Sequence, residues 1–574
     1  MLRLNRIFAP AQPVLRRISG ADAVVVLGIA ASLWALAKLA AQAPTVIRGP
    51  NISLDKSALP LYAGLSIARM VAAYILSLIF TFIYGYYAAS DKRRERILMP
   101  ILDVLQSIPI LAYLPVVVMS LTALLPIGFA KELAAVLLIF TSQAWNMTFS
   151  WYQSLTTIPS ELREASRVFQ LGPWMRFKTL LLPFGAIGLV WNSLMSWAGG
   201  WFALMVSESF SIGDKDYRLP GIGSYIQLAA NQKNISAITS GILVLLVVIV
   251  GLDQLVWRPM LAYADKFRLD MVSTDAPITS WVYAAFMTSR IVRRIRRTII
   301  RPVAEAVDTR MKRLFPVQMD FSQPTRPSLV GKFVTGAIGT LIVVGVWEGI
   351  RFLGQVSFDD WGHILLGLVV TFVRVILALV IALAWTIPVG VAIGTNARLA
   401  RVLQPLSQMA ASFPATALYP LFLVGLLHVQ GGLELAAMLL MLAGTQWYLL
   451  FNVMAGAQAI PQDLKYTAQL MGLKGWQKWS TFILPALFPY IATGAITASG
   501  GAWNASILAE YTAFGDTKYS TAYGIGAMIA RSQDKNQYPQ LMAATLAMVV
   551  AVIVVNRLVW KRLYKSAEEI YRMD

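Results

Sequence analysis

The stretch IPSELREASRVFQLGPWMRFKTLLLP, residues 158–183, is a polar interruption between two long apolar segments. A second stretch of the same layout, IPQDLKYTAQLMGLKGWQKWSTFILP, occupies residues 460–485, so the two lie 302 positions apart. In each copy a proline precedes a short helical pattern, a break with glycine follows, and a tryptophan opens a second segment that ends in Leu-Pro. We call residues 158–183 the first loop and residues 460–485 the second loop. Each predicts two short helices outside the membrane.

The composition around these loops is that of a membrane protein. Of 574 residues, 57% are hydrophobic and 14% are charged, and the mean hydropathy of +0.62 is too high for a soluble chain of this size. Apolar runs long enough to cross a bilayer are centred near residues 32, 76, 112, 143, 194, 246, 343, 378, 414, 445, 496 and 549. The sequence therefore predicts an all-α polytopic membrane protein with about 12 transmembrane helices.

The net charge of +20 reflects basic loops. No nucleic-acid-binding motif accompanies it, so we exclude nucleic acid as a partner and attribute the charge to cytoplasmic loops beside anionic lipid. The SDKRRER stretch at residues 90–96 predicts a cytoplasmic loop, and the pattern places both termini in the cytoplasm. The chain has no cysteine, and its two histidines, His363 and His428, lack metal-ligand spacing. No metal site is predicted.

The two halves of the chain repeat each other. SIPILAYLP at residues 107–115 parallels SFPATALYP at residues 412–420, 305 positions later. Equivalent positions in the two copies are separated by an even number of membrane spans, so both copies cross the membrane in the same direction. They therefore form two parallel six-helix repeats related by an axis along the membrane normal. We predict a first transmembrane domain over residues 1–257, a basic cytoplasmic linker over 258–330 and a second transmembrane domain over 331–574.

The linker contains RIVRRIRRTIIRP, residues 290–302, in which isoleucines recur every four residues and arginines fill the other faces. This pattern suits a helix on an anionic membrane surface, although a solvated basic linker explains it equally well. The preceding WVYAAFM is too short to span a membrane.

Acidic residues, Glu161 and Asp463, fall in the first turn of each predicted loop helix, where they favour the positive end of the helix dipole. One helical face is predicted to carry Leu162, Ser166 and Phe169 in the first loop. The equivalent face of the second loop carries Leu464, Ala468 and Met471.

These loops resemble the EAA loop of binding-protein-dependent ABC transporter permeases. That pattern is Glu-Ala-Ala, three residues, Gly, nine residues, an aliphatic residue, one more, then Leu-Pro. The first loop has Glu164 and Ala165, with Ser166 for the second alanine and Gln170 for the glycine. Because Gln replaces Gly, we expect the first helix to run further, to the Gly172–Pro173 break. The second loop keeps Ala468 and Gly472 but has Tyr466 and Thr467 for Glu-Ala.

The resemblance implies a fold like that of type I ABC importers, in the bacterial inner membrane. It also implies two partners, a cytoplasmic ABC ATPase dimer and an extracytoplasmic solute-binding protein. The chain has no G-x-x-x-x-G-K-[ST] motif, so we expect no cofactor in it and assign ATP and magnesium to the ATPase. ATPase coupling is predicted for Glu161, Glu164, Ala165, Ser166, Gln170, Trp174, Asp463, Tyr466, Ala468, Gly472 and Trp476.

Candidates for the translocation pathway come from recurring positions in the apolar segments. They are Ser107, Pro109, Trp201, Glu208, Ser412, Pro414, Trp503 and Glu510. Glu208 and Glu510 follow the fifth helix of each half; they could line the outer mouth or meet a docking protein, and a solvated helix end is the alternative. Arg69 and Arg374 are expected to snorkel to the interface. Of Trp145, Trp201, Trp447 and Trp503, at most two are expected to line a pore.

The Ser-x-Pro motifs, and SESF and LAEY after the fifth helices, resemble the nitrate/sulfonate/taurine branch of the permeases. The resemblance implies import of a small polar solute, with an anion suggested by that branch alone, and no enzymatic activity in this chain. The alternatives are a fused ferric-iron or thiamine permease and a secondary transporter with twelve helices. The secondary transporter would require ion-coupling carboxylates near the midplane and broken helices. A membrane scaffold would leave the two loops unexplained.

The predicted topology is testable by labelling, because the chain has no native cysteine. Single cysteines at positions 163 and 465 should react with an impermeant maleimide only from the cytoplasmic side. Reaction of either position in intact cells, from the periplasmic side, would refute the predicted orientation.

Overall fold

The computed structural model describes residues 20–44, 47–107, 109–212, 215–267, 280–314, 340, 343–460, 462–514, 517–560 and 562–563. Nearly all of these residues are helical, and the only strands among them form two short hairpins. The predicted fold class, an all-α polytopic protein, is confirmed.

The helices of the first half form a regular series along the chain. They are α1 (Gly20–Ala40), α2 (Leu59–Ser90), α3 (Lys92–Ser107), α4 (Ile110–Leu124), α5 (Ile127–Thr156), α6 (Ser160–Val168), α7 (Pro173–Arg176), α8 (Leu182–Ser209), α9 (Ile222–Asn231) and α10 (Ile235–Leu252). The linker region follows with α11 (Arg258–Asp265), α12 (Trp281–Thr288), α13 (Arg290–Ile295) and α14 (Arg301–Leu314).

The second half repeats this series, as the sequence offsets predict. Its helices are α15 (343–353), α16 (Phe358–Thr395), α17 (Ala397–Ser412), α18 (Ala415–Leu426), α19 (Gly432–Ala459), α20 (Gln462–Leu470), α21 (Gly475–Lys478), α22 (Leu484–Glu510), α23 (Ile525–Asp534) and α24 (Tyr538–Val555). Thus α2 corresponds to α16, α5 to α19, α8 to α22 and α9 to α23.

Eight helical segments within the described residues are long and apolar enough to cross a membrane. They correspond to α2, α5, α8 and α10 in the first half and to α16, α19, α22 and α24 in the second. The other four predicted spans correspond to shorter or bent helices: α1, α4, α15 and the pair α17–α18, which bends by 80° just before Ala415. Pro414 explains that bend, since a proline disfavours helical geometry in the residue before it. The total of twelve spans stays a prediction.

Three long helices form the centre of each half, α2 with α5 and α8, and α16 with α19 and α22. Small residues allow them to approach closely, as expected for helices in a bilayer. Trp151 on α5 is fully buried between two glycines, and a Cβ at either Gly85 or Gly185 would lie 2.6 Å from its ring. In the second half the smaller Val453 packs at the equivalent place against Gly390.

The halves contact each other reciprocally. Helix α4 of the first half packs on α22 of the second, and α18 of the second packs on α8 of the first. One apolar core therefore runs through both halves, and it includes the equivalent tryptophans Trp201 and Trp503.

A short hairpin follows each of the helices α8 and α22. Strand β1 (Ser211–Ile212) pairs with β2 (Lys215–Asp216), and β3 (Tyr511–Phe514) pairs with β4 (Thr517–Ser520), both antiparallel. The chain then turns back into the bundle through α9 or α23. The sequence patterns do not predict these hairpins.

Wide π-helical turns recur at prolines. Turns at Phe177–Leu181 and Trp479–Ile483 end two residues before the proline of each Leu-Pro pair, Pro183 and Pro485. A proline has no N–H and clashes with the carbonyl four residues earlier, so a wider turn accommodates it without ending the helix. Each loop is consequently joined to its membrane helix by continuous helical backbone.

Candidate functional site

The two loops have the same backbone conformation. Helices α6 and α20 each contain nine residues and end in a left-handed residue, Gln170 with φ of 48° and Gly472 with φ of 66°. In the first loop Leu171 N donates to Ser166 O at 3.1 Å, and in the second Leu473 N donates to Ala468 O at 3.2 Å. This is the Schellman pattern of helix termination.

The expected extension of α6 is therefore wrong. Gln170 adopts the conformation that usually requires glycine, because the capping hydrogen bonds and the following Gly172–Pro173 pair hold the chain there. Both loop helices end at equivalent positions, Val168 and Leu470.

The predicted faces of the loop helices are exposed at two of their three positions. Leu162 and Phe169 in the first loop and Leu464 and Met471 in the second are exposed, whereas Ser166 and Ala468 are buried, at 6% and 5% exposure. The most exposed apolar residues lie at the carboxyl ends, Val168 and Phe169 in the first loop and Leu470 and Met471 in the second, all at 70% or more. Each loop thus presents an apolar tip to its surroundings, at equivalent places in the two halves.

Most of the other predicted coupling residues are exposed. Glu161, Glu164, Gln170, Tyr466 and Gly472 are exposed, and Ala165 is half-buried. The side chain of Asp463 lies outside the described residues. Arg163 ties α6 to the end of α5, since its Nη2 donates to Leu155 O at 2.9 Å and to Thr156 O at 3.1 Å.

A buried charge cluster joins four helices of the first half. Arg69 on α2 donates to Glu208 on α8 at 2.8 Å and to both carboxylate oxygens of Glu132 on α5 at 2.6 and 2.7 Å. Ser66 Oγ donates to Glu208 at 2.7 Å, and the backbone N–H of Gly223 on α9 donates to it at 2.8 Å. Arg69 and Glu208 are 5% and 0% exposed.

The second half contains the same cluster. Arg374 on α16 pairs with Glu510 on α22 at 2.8 Å and with Glu434 on α19 at 2.5 Å. Thr371 Oγ1 donates to Glu510 at 2.6 Å, and the backbone N–H groups of Gly526 and Ala527 on α23 donate at 2.9 and 3.2 Å.

Each buried glutamate sits at the amino end of a ten-residue helix, α9 or α23, where N–H groups and the helix dipole favour negative charge. Glycine is required for this approach: a Cβ at Gly221 or Gly524 would lie 2.2 Å from the carboxylate. The repeated Gly-Ile-Gly of PGIGS (220–224) and YGIGA (523–527) is the sequence signal that could have revealed this contact.

Two predictions need correction here. The alternative of a solvated helix end for Glu208 and Glu510 is wrong, because both carboxylates are 0% exposed and fully paired. The snorkelling expected for Arg69 and Arg374 is wrong, because each guanidinium turns into the bundle to meet two carboxylates. Glu208 and Glu510 lie at the carboxyl ends of α8 and α22, and Glu132 and Glu434 lie near the amino ends of α5 and α19, so none of these four carboxylates lies at the centre of its helix.

A cavity of about 250 Å³ lies where the two halves meet. Its walls come from α3, α4, α5 and α8 of the first half and from α17, α18, α19, α22, the end of α24 and the π turn Asn556–Trp560 in the second. The polar residues of its wall are Gln106, Thr141, Ser142, Asn146, Tyr448, Thr497, Ser499, Asn504 and Asn556. No Asp, Glu, Lys, Arg or His belongs to the wall that the structure describes.

Four indoles complete the cavity wall, those of Trp145, Trp447, Trp503 and Trp560. Three of them, Trp145, Trp447 and Trp503, belong to the set in which at most two tryptophans are expected to line a pore, and that expectation stays a prediction. Within the described residues, the Nε1 groups of Trp503 and Trp560 have no hydrogen-bond partner. The cavity therefore contains polar donors but no formal charge.

The predicted pathway residues fall in different places. Pro414 and Trp503 line the cavity, whereas Trp201, Glu208 and Glu510 do not. The prediction that the two glutamates belong to the pathway is wrong, because their carboxylates are paired within the charge clusters. Pro109 is buried outside the cavity wall. The side chains of Ser107 and Ser412 lie outside the described residues.

Two helical repeats with matching loops, clusters and a shared cavity define a duplicated membrane transport protein. Residues 81–256 and 386–560 each match the family described as "Binding-protein-dependent transport system inner membrane component". The chain belongs to this family and carries two copies of its domain, which makes it a fused ABC permease. The predicted boundaries at residues 257 and 331 stay predictions.

Similar proteins include single-domain permeases. The bicarbonate transport system permease protein CmpB of Synechococcus elongatus is 29% identical over 216 residues, which cover 37% of this chain and 74% of that protein. The nitrate import permease protein NrtB of Leptolyngbya laminosa is 27% identical, with 32% and 63% covered. The taurine transport system permease protein TauC of Escherichia coli is 28% identical, with 28% and 56% covered. The matched residues are 37% of this chain but 74% of the bicarbonate permease, so that protein is about half as long as this chain.

The charge clusters predict a large effect of removing their cation. Arg69→Ala should lower the free energy of unfolding by roughly 3–5 kcal/mol, because Glu208 would stay buried without its partner. Arg374→Ala should lower the free energy of unfolding in the same way, because Glu510 would stay buried without its partner. Thermal unfolding of the purified chain in nanodiscs measures the effect.

Arg351→Ala is the matched control, because its pair with Glu348 is exposed and contributes less than about 1 kcal/mol. Melting temperatures of Arg69→Ala and Arg351→Ala that coincide would show that the buried cluster does not stabilise the bundle.

Proposed function

We propose that this chain supplies the two membrane-spanning halves of an ABC importer and binds a cytoplasmic ATPase dimer through its two loops. The observation that carries the proposal is the identical conformation of α6 and α20, each with an exposed apolar tip. Two equivalent tips on a duplicated chain suit a dimer of equivalent subunits. ATP and magnesium are bound by that dimer, and this chain contributes no catalytic group.

The apolar tips support ATPase docking because large apolar side chains in water are costly unless a partner covers them. Phe169 and Met471 are 73% and 70% exposed, and Val168 and Leu470 are 78% and 89% exposed. If the loops lie on the cytoplasmic side, beyond the Leu-Pro pairs that begin α8 and α22, an ATPase dimer is the partner proposed to cover both tips. Closure of the ATPase dimer would then move each half as a rigid body and open the path alternately to the two sides.

The cavity is proposed as part of the solute path, and a small anion is the proposed solute. Relatives of this chain are named for bicarbonate, nitrate and taurine. Hydroxyl and amide groups of the cavity wall can donate hydrogen bonds to an anion. A wall without fixed positive charge would bind the anion weakly enough to release it, which transport requires.

An organic cation such as thiamine is the second candidate, because four indole rings line the cavity and aromatic faces attract cations. In either case a solute-binding protein is proposed to deliver the solute to the face opposite the loops. The membrane is proposed to be the inner membrane, with both termini in the cytoplasm.

The docking proposal predicts that negative charge introduced at the apolar tips weakens binding of the ATPase. Phe169→Asp with Met471→Asp should weaken binding of the coexpressed ATPase at least tenfold, since burying each large apolar side chain contributes about 1.5–3 kcal/mol. Copurification and ATP hydrolysis by the complex measure this.

Val429→Asp is the control, because Val429 is 53% exposed in the turn between α18 and α19, away from both loops. Undiminished copurification of the ATPase with the double variant would disprove docking at the tips. Within the same assay, Glu164→Arg should weaken assembly in a salt-dependent way and Tyr466→Ala independently of salt, because only the first removes a charge.

The solute proposal predicts a selective effect at one amide of the cavity wall. Asn146→Leu keeps the size of the side chain but removes its amide donor, so uptake of an anion should fall roughly tenfold while uptake of an organic cation should persist. Proteoliposomes containing the chain, its ATPase and its binding protein would be assayed with nitrate, bicarbonate, taurine and thiamine. Uptake of thiamine alone, unaffected by the substitution, would favour the cation instead.

A further inference from the structure

The linker contacts the first loop and leaves the corresponding part of the second loop open. Trp174 Nε1 donates to Asp308 Oδ1 on α14 at 2.9 Å, and Lys178 Nζ pairs with Asp308 Oδ2 at 2.5 Å. These two donors hold the pKa of the Asp308 carboxyl below its usual value. In the second loop the equivalent tryptophan, Trp476, is 76% exposed, and Ser480 replaces the lysine.

This contact fixes the position of the linker relative to the membrane. Trp174 and Lys178 belong to the first turns of a continuous helical segment, Pro173–Ser209, that is long and apolar enough to span a bilayer. They lie at its polar end, before Pro183, and Asp308 is hydrogen-bonded to both. Helix α14 therefore runs at the level of the membrane surface, on the side that the basic loops predict to be cytoplasmic.

An apolar stripe runs along the helical linker without a partner in the described structure. Its residues are Ile295, Ile299, Val303, Val307 and Leu314, which are 42–63% exposed. The π turn at Arg296–Ile300 has more residues per turn than an α-helix, so it keeps the isoleucines and valines, spaced by four, on one face. Asp308 lies about 100° around the helix from Val307. The stripe and the contact with the first loop thus occupy different faces.

The remaining faces of the linker helix are strongly basic. Residues 290–314 contain nine Arg and Lys residues and two acidic residues, a net charge of +7. Immediately before them, Trp281 and Phe286 on α12 are 68% and 51% exposed. An apolar stripe bordered by arginines, with exposed aromatic residues beside it, is the combination that binds at the boundary between headgroups and acyl chains.

We propose that residues 290–314 bind the anionic lipid surface beside the first half, with the apolar stripe in the headgroup boundary and the arginines on lipid phosphates. The positive charge of the segment complements anionic headgroups, and its position at the end of α8 places it within reach of them. Asp308 then connects a lipid-bound helix to Trp174 and Lys178. The first loop is held at the membrane surface by this connection, and the described part of the linker makes no equivalent contact with Trp476 of the second loop.

The test measures the depth of single labels in the full-length chain. Val303→Cys places a bimane label on the stripe, and Glu305→Cys, two residues away and 65% exposed, places it on another face. Nanodiscs are prepared from phosphatidylcholine with or without phosphatidylglycerol, and quenching by brominated lipid is compared with quenching by iodide. Val307→Cys repeats the stripe measurement should the label at position 303 perturb the helix.

With phosphatidylglycerol, brominated lipid should quench the label at 303 several-fold more strongly than the label at 305, and iodide should show the opposite order. Omitting phosphatidylglycerol, or replacing Arg293, Arg294, Arg296 and Arg297 with Gln, should reduce lipid quenching at 303 several-fold. Equal iodide quenching at both positions would mean a solvated linker and overturn the proposal. Protection of 303 from both quenchers, before or only after addition of the ATPase, would assign the stripe to a protein contact and also overturn it.

Discussion

The burial of Glu208 and Glu510 constrains the rest of the structure. A carboxylate within a membrane bundle is tolerable only if every oxygen is paired, and here an arginine, a hydroxyl and the amino end of a short helix provide the partners. To supply them, three long helices and α9 or α23 must converge at one point in each half. The clusters lie near the carboxyl ends of α8 and α22, and the loops precede the amino ends of the same helices. Each loop is thereby attached to a helix whose far end is fixed by charge pairing and hydrogen bonds.

The sequence was sufficient where local pattern decides the structure. Apolar length predicts the helices, and a register of 302 or 305 residues predicts their pairing between halves. It was insufficient for the charge clusters, because Arg69 and Glu208 are 139 positions apart and periodicity does not reveal which helices pack together. The repeated Gly-Ile-Gly was visible, but its meaning depends on the carboxylate that approaches it. Gln170 shows a different limit of prediction from sequence. The preference for glycine at this position predicts a longer first loop helix, but the capping hydrogen bonds and the next proline decide where that helix ends.

Duplication within one chain has allowed the two halves to differ. Trp151 is buried between glycines in the first half, and Val453 occupies the equivalent place in the second. Trp503 lines the cavity while Trp201 does not, and the linker covers Trp174 while Trp476 stays exposed. Two identical subunits could not differ in this way. A fused chain can therefore present two similar tips to an ATPase dimer while, among the described residues, the linker contacts the first loop and not the second.

The central claim is that the apolar tips of α6 and α20 are the ATPase-binding surfaces of a fused importer permease. A cryo-electron microscopy structure of the chain with its ATPase dimer, in lipid nanodiscs, tests it most directly. The account predicts that each tip lies in a groove of one ATPase subunit, with Val168, Phe169, Leu470 and Met471 buried by the contact. A complex in which these four side chains remain exposed and the ATPase contacts other segments, such as residues 290–314, would contradict it.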